Sequence, residues 1–331
     1  MSELISLGEG SGGRLTADLV ASVIKNFAAC DGQKGGCEDC TFIEGNLAVT
    51  TDGFTVSPRF FPGGDMGHLA VCGATNDLAV RGVRPQWLTL GMIIEEGLPR
   101  AELLRLVRSA ARQCEALGAT LAAGDTKVVP RGACEGVFFN VTALGRAVTP
   151  RPLGMNRLQP GDALILSTPP GRHGAVIAAL RYGLDRGGLE SDCAALWPLL
   201  GPLLPLDGLR CMRDCTRGGL GTVLCEWAEA TGLGMEIEEE RLALHPSVAA
   251  ICDILGFDPL YLASEGCALI ACAPAETEIA LARLRRHPLG RDAALIGAVT
   301  AEHAGLVGLK TRLGGSRIVD MPVGEILPRI C

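Results

Sequence analysis

The sequence predicts a mixed α/β protein with two domains. Helix-like and strand-like segments alternate along most of the chain, which is typical of folds that pack helices against sheets. The chain has 331 residues, more than one hydrophobic core usually organises. A Pro/Gly-rich passage at 149–161 interrupts the alternation near the middle. We therefore predict domains at 1–150 and 151–314, with a C-terminal tail at 315–331.

The spacing of apolar residues predicts the individual elements. Helical spacing occurs over 15–27 and over 99–117, where Gly118 follows as a helix-ending residue. The expected strands of the first domain are 47–51, 87–94 and 136–143. In the second domain the expected helices are 175–182, 219–230, 247–255 and 276–286, and the expected strands are 163–167, 235–238, 268–272, 294–299 and 306–310.

The overall charge argues against two classes of partner. Lys and Arg total 30 against 37 Asp and Glu, and no Lys/Arg-rich block occurs. Nucleic acids and membrane surfaces attract basic faces, so neither is an expected partner. The N-terminus lacks a signal-peptide pattern, and no run approaches the roughly 18 apolar residues of a membrane span. We expect a cytoplasmic protein whose 14 cysteines are thiols.

Acidic residues in turn-like contexts are the first candidate for chemistry. Asp52 ends a predicted strand, Asp214 precedes a Thr-Arg-Gly-Gly turn, and Asp39 and Asp77 lie in short polar stretches. Clustered carboxylates repel one another unless a cation lies between them, and Mg²⁺ prefers such oxygen ligands. The alternative is that these residues only cap turns and helices, as isolated Asp residues usually do.

Three glycine-rich stretches precede helical segments, at 8–13, 62–65 and 217–219. Unpaired backbone N–H groups at such positions favour bound anions such as phosphate. None of the three has the spacing of a Walker A loop or of a dinucleotide-binding fingerprint. Each one alone is weak support for a nucleotide site, because the chain contains 44 glycines.

Two cysteine features have open interpretations. Cys331 is the last residue, so an extended tail of about 16 residues, roughly 50 Å long, can carry its thiol between two places. The alternative is an incidental residue in a cysteine-rich chain. Cys37 and Cys40 form a CxxC pair, which is compatible with a zinc half-site or a redox pair, but no second pair lies at zinc-finger spacing.

A series of motifs in fixed order carries a resemblance that runs almost from end to end. The motifs are Gly10-Ser-Gly-Gly13, Thr51-Asp-Gly-Phe54, Ser57–Asp65, Leu69-Ala-Val-Cys-Gly73, Asn76-Asp-Leu-Ala79, Gly124–Val129, Met212-Arg-Asp214, Thr216-Arg-Gly-Gly219, Asp258-Pro-Leu-Tyr261 and Pro328-Arg-Ile-Cys331. In this order the sequence resembles the HypE family of hydrogenase maturation factors. That family lies in the ATP-dependent superfamily of aminoimidazole ribonucleotide synthetase and selenophosphate synthetase.

The resemblance implies a fold, a site and partners. The fold is the two-domain aminoimidazole ribonucleotide synthetase-like fold, whose N-terminal sheet pairs with its copy in a homodimer, with ATP in the cleft between domains. Asp39, Asp52, Asp77 and Asp214 then hold Mg²⁺ and the phosphates. The nucleotide site also includes Gly12, Gly13, Asn76, Asp125 and Thr126. The implied partners are the carbamoyltransferase HypF and an iron-carrying HypC–HypD scaffold complex.

The implied reaction is an ATP-dependent carbamoyl dehydration that supplies the cyanide ligand of NiFe-hydrogenase. A carbamoyl group on Cys331 has a poor leaving oxygen, and phosphorylation by ATP makes it a good one. Glu265 matches the family's proton-accepting glutamate. Lys127 matches a family lysine that orients Glu265 or stabilises developing negative charge. The alternatives are that Glu265 caps a turn and that Lys127 pairs with Asp125.

Departures from the family pattern concern Glu9, Cys215, Ser264 and Cys267. The last two flank Glu265 and bear on the details of proton removal. One rival is another ATP-dependent synthetase of the superfamily, but residues 8–13 lack the reactive Cys and Lys expected of selenophosphate synthetase. The other rival is a thiol carrier or scaffold that does not hydrolyse ATP. Such a carrier needs no Mg²⁺ site, so the acidic cluster argues against it.

Overall fold

The structure is a computed structural model that describes residues 4–27, 38–324, 327, 330 and 331. Cys37, one of the two cysteines of the CxxC pair, lies outside the described residues, and so do Pro328 and Arg329. Within the described part of the chain, no helix is long and apolar enough to cross a membrane.

The N-terminal unit is a five-stranded sheet with two helices on one face. Its helices are α1 (Gly13–Ile24), α2 (Met66–Val80) and α3 (Arg100–Leu117). Its strands are β1 (Thr41–Glu44), β2 (Leu47–Phe54), β3 (Phe60–Phe61), β4 (Gly64–Asp65), β5 (Val83–Glu95), β6 (Thr120–Val129) and β7 (Val137–Ala147). The sheet order is β1-β2-β7-β5-β6, and β3 and β4 form a separate small hairpin. The predicted helices at 15–27 and 99–117 and all three predicted strands are confirmed to within a few residues.

Helix α2 is the buried centre of this unit and was not predicted. The Asp65 carboxylate caps it by accepting a hydrogen bond from the backbone N–H of His68 at 3.0 Å. Thirteen of its fifteen residues are buried. A helix that is covered on nearly all sides has no polar stripe, so the periodicity that identifies surface helices is missing.

Strand β6 leaves one edge of the sheet open. Nine of its ten residues are exposed, including Leu121 and Val128, and on its other side it pairs in parallel with β5. The sequence analysis did not assign this segment to a strand, because its residues show no simple alternation. A long exposed edge offers unpaired backbone N–H and C=O groups to another strand.

The C-terminal unit is a seven-stranded sheet with helices on both sides. Its helices are α4 (Arg172–Tyr182), α5 (Trp197–Leu200), α6 (Gly219–Thr231), α7 (Pro246–Leu255) and α8 (Thr277–Arg285). Its strands are β8 (Ala163–Leu166), β9 (Leu209–Asp214), β10 (Gly234–Glu238), β11 (Ala268–Cys272), β12 (Ala294–Thr300), β13 (Val307–Lys310) and β14 (Ser316–Val319). The order is β14-β13-β10-β12-β8-β11-β9, which places β9 and β11 side by side at one edge. The predicted elements of this half are confirmed, and the sequence did not predict α5, β9 and β14.

The two units share buried surface rather than meeting only at a linker. Apolar residues of α4 and α7 belong to the same core as α2 and the five-stranded sheet. The tail residues Leu327 and Ile330 are buried in that core as well. The tail is therefore docked against the rest of the chain. The predicted domain limits at 150 and 314 stay predictions.

The close crossing of α2 and α3 predicts a strong effect of one methyl group. A Cβ at Gly67 would overlap the backbone carbonyl oxygen of Leu106. We expect Gly67→Ala to lower the free energy of unfolding by about 1–3 kcal/mol, because two packed helices must separate. Urea unfolding followed by circular dichroism measures the change. Gly308→Ala is the control, since a Cβ there would lie 3.9 Å from its nearest neighbour, Cγ of Glu236, and an equal loss there would contradict the explanation.

Candidate active site

Carboxylates from both units converge between the two sheets. Asp39 lies just before β1, Asp77 is on α2, and Asp214 ends β9. One carboxylate oxygen from each lies within 4.8 Å of the others. Asp52 on β2 interacts directly with Asp77 through their side chains. The structure thus brings together all four residues that the resemblance assigned to Mg²⁺.

Burial and mutual repulsion make this cluster costly without a cation. Burial is the main cause that raises the pKa of Asp214 to about 6, against a partial opposing effect of Arg213 and with Asp52 adding to the rise. The pKa of Asp77 is raised well above its ordinary value by burial and then by the charges of Asp52, Asp214 and Asp39. Burial also raises the pKa of Asp39, again opposed by Arg213.

The donor set fits a hard divalent cation. The Oδ2 atoms of Asp39 and Asp214 are buried and have no hydrogen-bond partner among the described residues. The other oxygen of Asp39 lies 2.6 Å from Nε of Arg213, and Asp77 accepts a 2.6 Å hydrogen bond from the hydroxyl of Thr50. Asp39 and Asp77 are therefore each oriented through one oxygen, and Asp39 and Asp214 each have an oxygen without a hydrogen-bond partner among the described residues. Mg²⁺ takes one or two such carboxylates together with waters and phosphate oxygens.

Glu265 lies next to this cluster in a tightly held segment. Its side chain is buried, and its Oε1 atom contacts no donor in the described part of the chain. Its backbone N–H donates to Asp192 at 3.2 Å, and its backbone carbonyl accepts from Ala194 N at 3.3 Å and from Asn76 Nδ2 at 3.3 Å. Burial, followed by the charges of Asp214 and other carboxylates, raises the pKa of Glu265 well above its ordinary value.

The chain ends in the same region. The carbonyl oxygen of Cys331 accepts a 2.8 Å hydrogen bond from the backbone N–H of Thr55, which follows β2. One residue earlier, the carbonyl oxygen of Ile330 lies 2.6 Å from Nε2 of the buried His173. Cys331 and Ile330 line a cavity of about 180 Å³ together with Arg217, Gly53 and other residues. These contacts place the terminal sulfur beside the acidic cluster rather than in solvent.

Electrostatics keep the docked thiol of Cys331 protonated. Burial raises its pKa to about 12; Arg217 opposes the rise, and Glu265 and Asp52 add to it. A thiol with that pKa carries no charge near neutral pH. The docked position therefore suits a neutral sulfur substituent better than a reactive thiolate.

The N-terminal glycine loop lies against the glycine-rich turn at 217–219. Gly12 has a left-handed backbone with φ of 87°, and a Cβ there would lie 3.3 Å from the backbone of Arg217. Gly13 also has a positive φ and lies against Pro322. Two of the glycine-rich stretches named from the sequence therefore meet at the mouth of the same cavity.

Three predicted residues on β6, Asp125, Thr126 and Lys127, stand apart from the cluster in the isolated chain. Asp125 aligns across the sheet with Gly91, Asn140 and Gly53, and Asp52 precedes Gly53 by one residue on its strand. Successive residues of a strand point to opposite faces of the sheet, so Asp125 lies on the open face, opposite to Asp52. Three strand spacings, about 14 Å, separate the two residues.

Lys127 is two residues further along β6 and shares that open face. Its Nζ lies 3.1 Å from Asp125 Oδ2, in an ion pair whose side chains are each 69% exposed. Thr126, between them, points to the opposite, helix-covered side of the same exposed strand. Within one subunit, Lys127 therefore cannot orient Glu265.

Asn76, predicted to line the nucleotide site, uses its amide to hold Ala194, Leu196 and Glu265 by their backbones. The structure also places two residues near the tail that were not candidates from the sequence. Arg217 and His173 contact or influence the tail, but a lone Arg in a glycine turn and a lone His on a helix carry no distinctive spacing. The motif Thr216-Arg-Gly-Gly219 was the one signal that pointed to Arg217.

Sequence profiles of AIR synthase related proteins match both halves of the chain. The N-terminal domain of this group matches residues 37–147, and the C-terminal domain matches residues 159–310. A protein named carbamoyl dehydratase HypE from Rhodobacter capsulatus is 45% identical over 99% of this chain and 98% of the relative. The chain belongs to the HypE family. HypE of Escherichia coli K12 is 42% identical over 99% of both chains.

Solved HypE structures share the fold over nearly the whole chain. A HypE structure in complex with ATP superposes with a TM-score of 0.83 at 39% identity, covering 98% of each chain. HypE in a HypE–HypF complex superposes with a TM-score of 0.88 at 38% identity, covering 92% of this chain and 99% of the other. A thiamine monophosphate kinase from Aquifex aeolicus, at 19% identity and a TM-score of 0.67, shares the fold alone.

The raised carboxyl pKa values predict a specific pH dependence of stability without metal. A buried Asp with a raised pKa is tolerated while protonated, and its cost is felt as pH rises through the folded-state value. We expect metal-free Asp77→Asn to gain stability over the native chain as pH rises from about 4 to about 7. Chemical unfolding at several pH values measures the difference.

At neutral pH, divalent cations should make the native chain more stable than the Asp77→Asn chain. Free Mg²⁺ at about 100 times its dissociation constant should stabilise the native chain by about 2.7 kcal/mol, and Asp77→Asn much less. Asp253→Asn, at an exposed position of α7, is the control and should follow the native chain. A native stability that is insensitive to Mg²⁺ and to Asp77→Asn would rule out the cation site.

Proposed function

We propose that the chain is an ATP-dependent carbamoyl dehydratase that converts an S-carbamoyl group on Cys331 into an S-cyano group. The product is the source of the cyanide ligand of the NiFe-hydrogenase iron centre. The main observation in support is that Cys331 lies beside the acidic cluster and Glu265. The names of the full-length relatives and the ATP complex of a HypE protein support the same reaction.

The overall step balances as a dehydration coupled to ATP cleavage. The carbamoyl thioester and ATP give the thiocyanate, ADP, inorganic phosphate and a proton. The carbamoyl oxygen attacks the γ-phosphorus of ATP, and the C–O bond then breaks with loss of phosphate. Both nitrogen protons leave as the C≡N bond forms.

The cluster residues prepare the phosphoryl transfer. Asp39, Asp52, Asp77 and Asp214 would hold Mg²⁺, which supplies neutralisation of charge on the transferred phosphoryl group. The positively charged guanidinium of Arg217 interacts with the Cys331 sulfur and the Asp52 carboxylate. Backbone N–H groups of the loop at Gly12 and Gly13 offer further anion contacts at the same cavity.

Glu265 accepts a nitrogen proton. Its Oε1 atom is buried and has no donor among the described residues, and its raised pKa makes its carboxylate a stronger base than an ordinary glutamate. Three hydrogen bonds to its backbone N–H and carbonyl hold this residue in place. The closed surroundings also keep water away from the activated carbamoyl group.

The tail must leave the cavity for loading. The docked Cys331 thiol has a pKa of about 12, so it is a poor nucleophile there. Carbamoylation by HypF, the partner in the complex of a related HypE, therefore takes place on a released tail. The neutral thiocarbamate then docks at little electrostatic cost, and the cyano group passes to a HypC–HypD complex. The use of ATP places this cycle in the cytoplasm.

Mass spectrometry of the C-terminal peptide tests the reaction. After incubation with carbamoyl phosphate, ATP and HypF, native chain should gain a carbamoyl group and, in excess ATP, lose one water from it. Cys331→Ala should gain nothing and release no ADP above background. Cys134→Ala, which removes a partly exposed cysteine elsewhere, is the matched control and should behave as native.

Glu265→Gln separates the dehydration step from the loading of the carbamoyl group onto Cys331. We expect it to be carbamoylated normally and to form the cyano product at least about 100-fold more slowly, because the amide cannot accept the proton. Single-turnover measurements with a preloaded chain provide the rate. A Glu265→Gln chain that dehydrates at the native rate would refute the base, and a native chain that never loses water would favour the thiol-carrier alternative.

We also propose that the chain is a homodimer built on β6. Its open edge and the free edge of β2 beyond β1 are complementary, so two sheets pair into one closed barrel. Closure removes an edge that would otherwise invite aggregation. It also brings Asp125 and Lys127 of one subunit beside β2 of the other, which supplies their route to the acidic cluster.

A proline in β6 tests the dimer. Thr126→Pro removes a backbone donor and obstructs pairing, so it should shift the mass in solution from dimer toward monomer. Thr126→Ala retains the donor and should remain dimeric. Light scattering after size exclusion measures the mass, and circular dichroism verifies folding. A native chain that is monomeric at micromolar concentration would contradict the proposal.

A further inference from the structure

A second group of metal-ligand side chains lies on the opposite end of α2 from the acidic cluster. His68 and Cys72 are one helical turn apart, so their side chains point to the same face. Cys193 reaches that face from the segment 191–196, which connects α4 to α5. One ligand atom from each of the three residues lies within 4.8 Å of the other two.

The chemistry of this group differs from that of the carboxylate cluster. Imidazole nitrogen and thiol sulfur are borderline and soft ligands, which select Zn²⁺ over Mg²⁺. Tetrahedral zinc has bonds of about 2.0–2.3 Å, so its ligand atoms lie roughly 3.5–3.8 Å apart. The three observed side chains need only small movements to reach that geometry.

The three side chains are already in mutual contact. Cys72 interacts with both Cys193 and His68 through side-chain hydrogen bonds. Cysteine binds metal as the thiolate, so a metal ion would replace the protons in these contacts. Cys72 and Cys193 are buried, whereas His68 is partly exposed and provides access from solvent.

We propose that His68, Cys72 and Cys193 form a binding site for a thiophilic divalent cation, with Zn²⁺ as the fitting ion. Three protein ligands leave one tetrahedral position for water. Binding releases the remaining thiol protons to solvent, and no oxidation of sulfur is involved.

The ion would tie α2 to the segment that holds Glu265. Cys193 lies between Asp192, which accepts a hydrogen bond from Glu265 N, and Ala194, whose N–H donates to Glu265 O. At the other side of the segment, Asn76 already binds Ala194 O and Leu196 N. The segment would then be fixed to α2 at two points. The site is thus a positioning element next to the proposed base and makes no contact with the nucleotide.

Cobalt titration of the reduced, metal-free, full-length chain tests the site. Excess Mg²⁺ is present to occupy the carboxylates, and Co²⁺ is the probe because thiolate ligands give it a near-ultraviolet charge-transfer band. We expect a saturable band, its displacement by Zn²⁺, and one Zn²⁺ per chain by elemental analysis after gel filtration.

Ligand variants identify the residues. Loss of an outer partner already weakens metal sites by about 10–100-fold, so Cys72→Ser and Cys193→Ser should weaken binding more than about 100-fold. His68→Gln changes a partly exposed residue and should fold normally, yet weaken binding in the same direction. Cys252→Ser, a buried cysteine of α7 outside the cluster, should bind as native, and thermal unfolding verifies that each variant is folded.

Two results would overturn the proposal. One is a native chain without a thiolate-to-cobalt band. The other is a band that persists in Cys193→Ser and His68→Gln but disappears in Cys215→Ser, which would assign it to the neighbouring thiols of Cys215 and Cys267. Either result leaves the proposed dehydratase reaction intact, since that reaction depends on Cys331 and the carboxylates.

Discussion

The structure depends on the burial of like charges between two sheets. Asp77 comes from the central helix of one unit and Asp214 from an edge strand of the other. Without a cation their mutual repulsion opposes the contact of the two units, and burial keeps water from screening it. A cation bound there would turn the same arrangement into an attraction. The proposed nucleotide site and the packing of the two units are therefore coupled through one electrostatic constraint.

The chain's end adds a second constraint of the opposite kind. The tail is held by backbone hydrogen bonds to Thr55 and His173 and by burial of Leu327 and Ile330, none of which depends on charge at the sulfur. Docking is thus compatible with any small neutral group on Cys331, whereas a thiolate is disfavoured. The charge on the sulfur of Cys331 therefore decides whether docking of the tail is favoured.

The sequence predicts the architecture well where apolar residues follow a clear pattern. Amphipathic α3 follows from apolar residues at helical spacing, and the fully buried strands β8 and β11 follow from short continuous apolar runs. Prediction failed at α2, which is buried on nearly all sides, and at β6, where nine of ten residues are exposed and no apolar alternation marks a strand. The four metal-site aspartates and Cys331 were selected through ordered motifs, because spacing alone could not show that they meet. The positions of Arg217, His173 and Asp192 depend on long-range packing that no local pattern encodes.

Asn76 stands beside Asp77 in the sequence and yet contacts the opposite side of the proposed reaction centre. Its amide binds three backbone groups around Glu265, while the next residue lies in the carboxylate cluster. A rigid helix cannot shift one of these residues without the other. The proposed proton acceptor and the proposed phosphate-binding cluster consequently share one rigid support, so a displacement of that helix would disable both together.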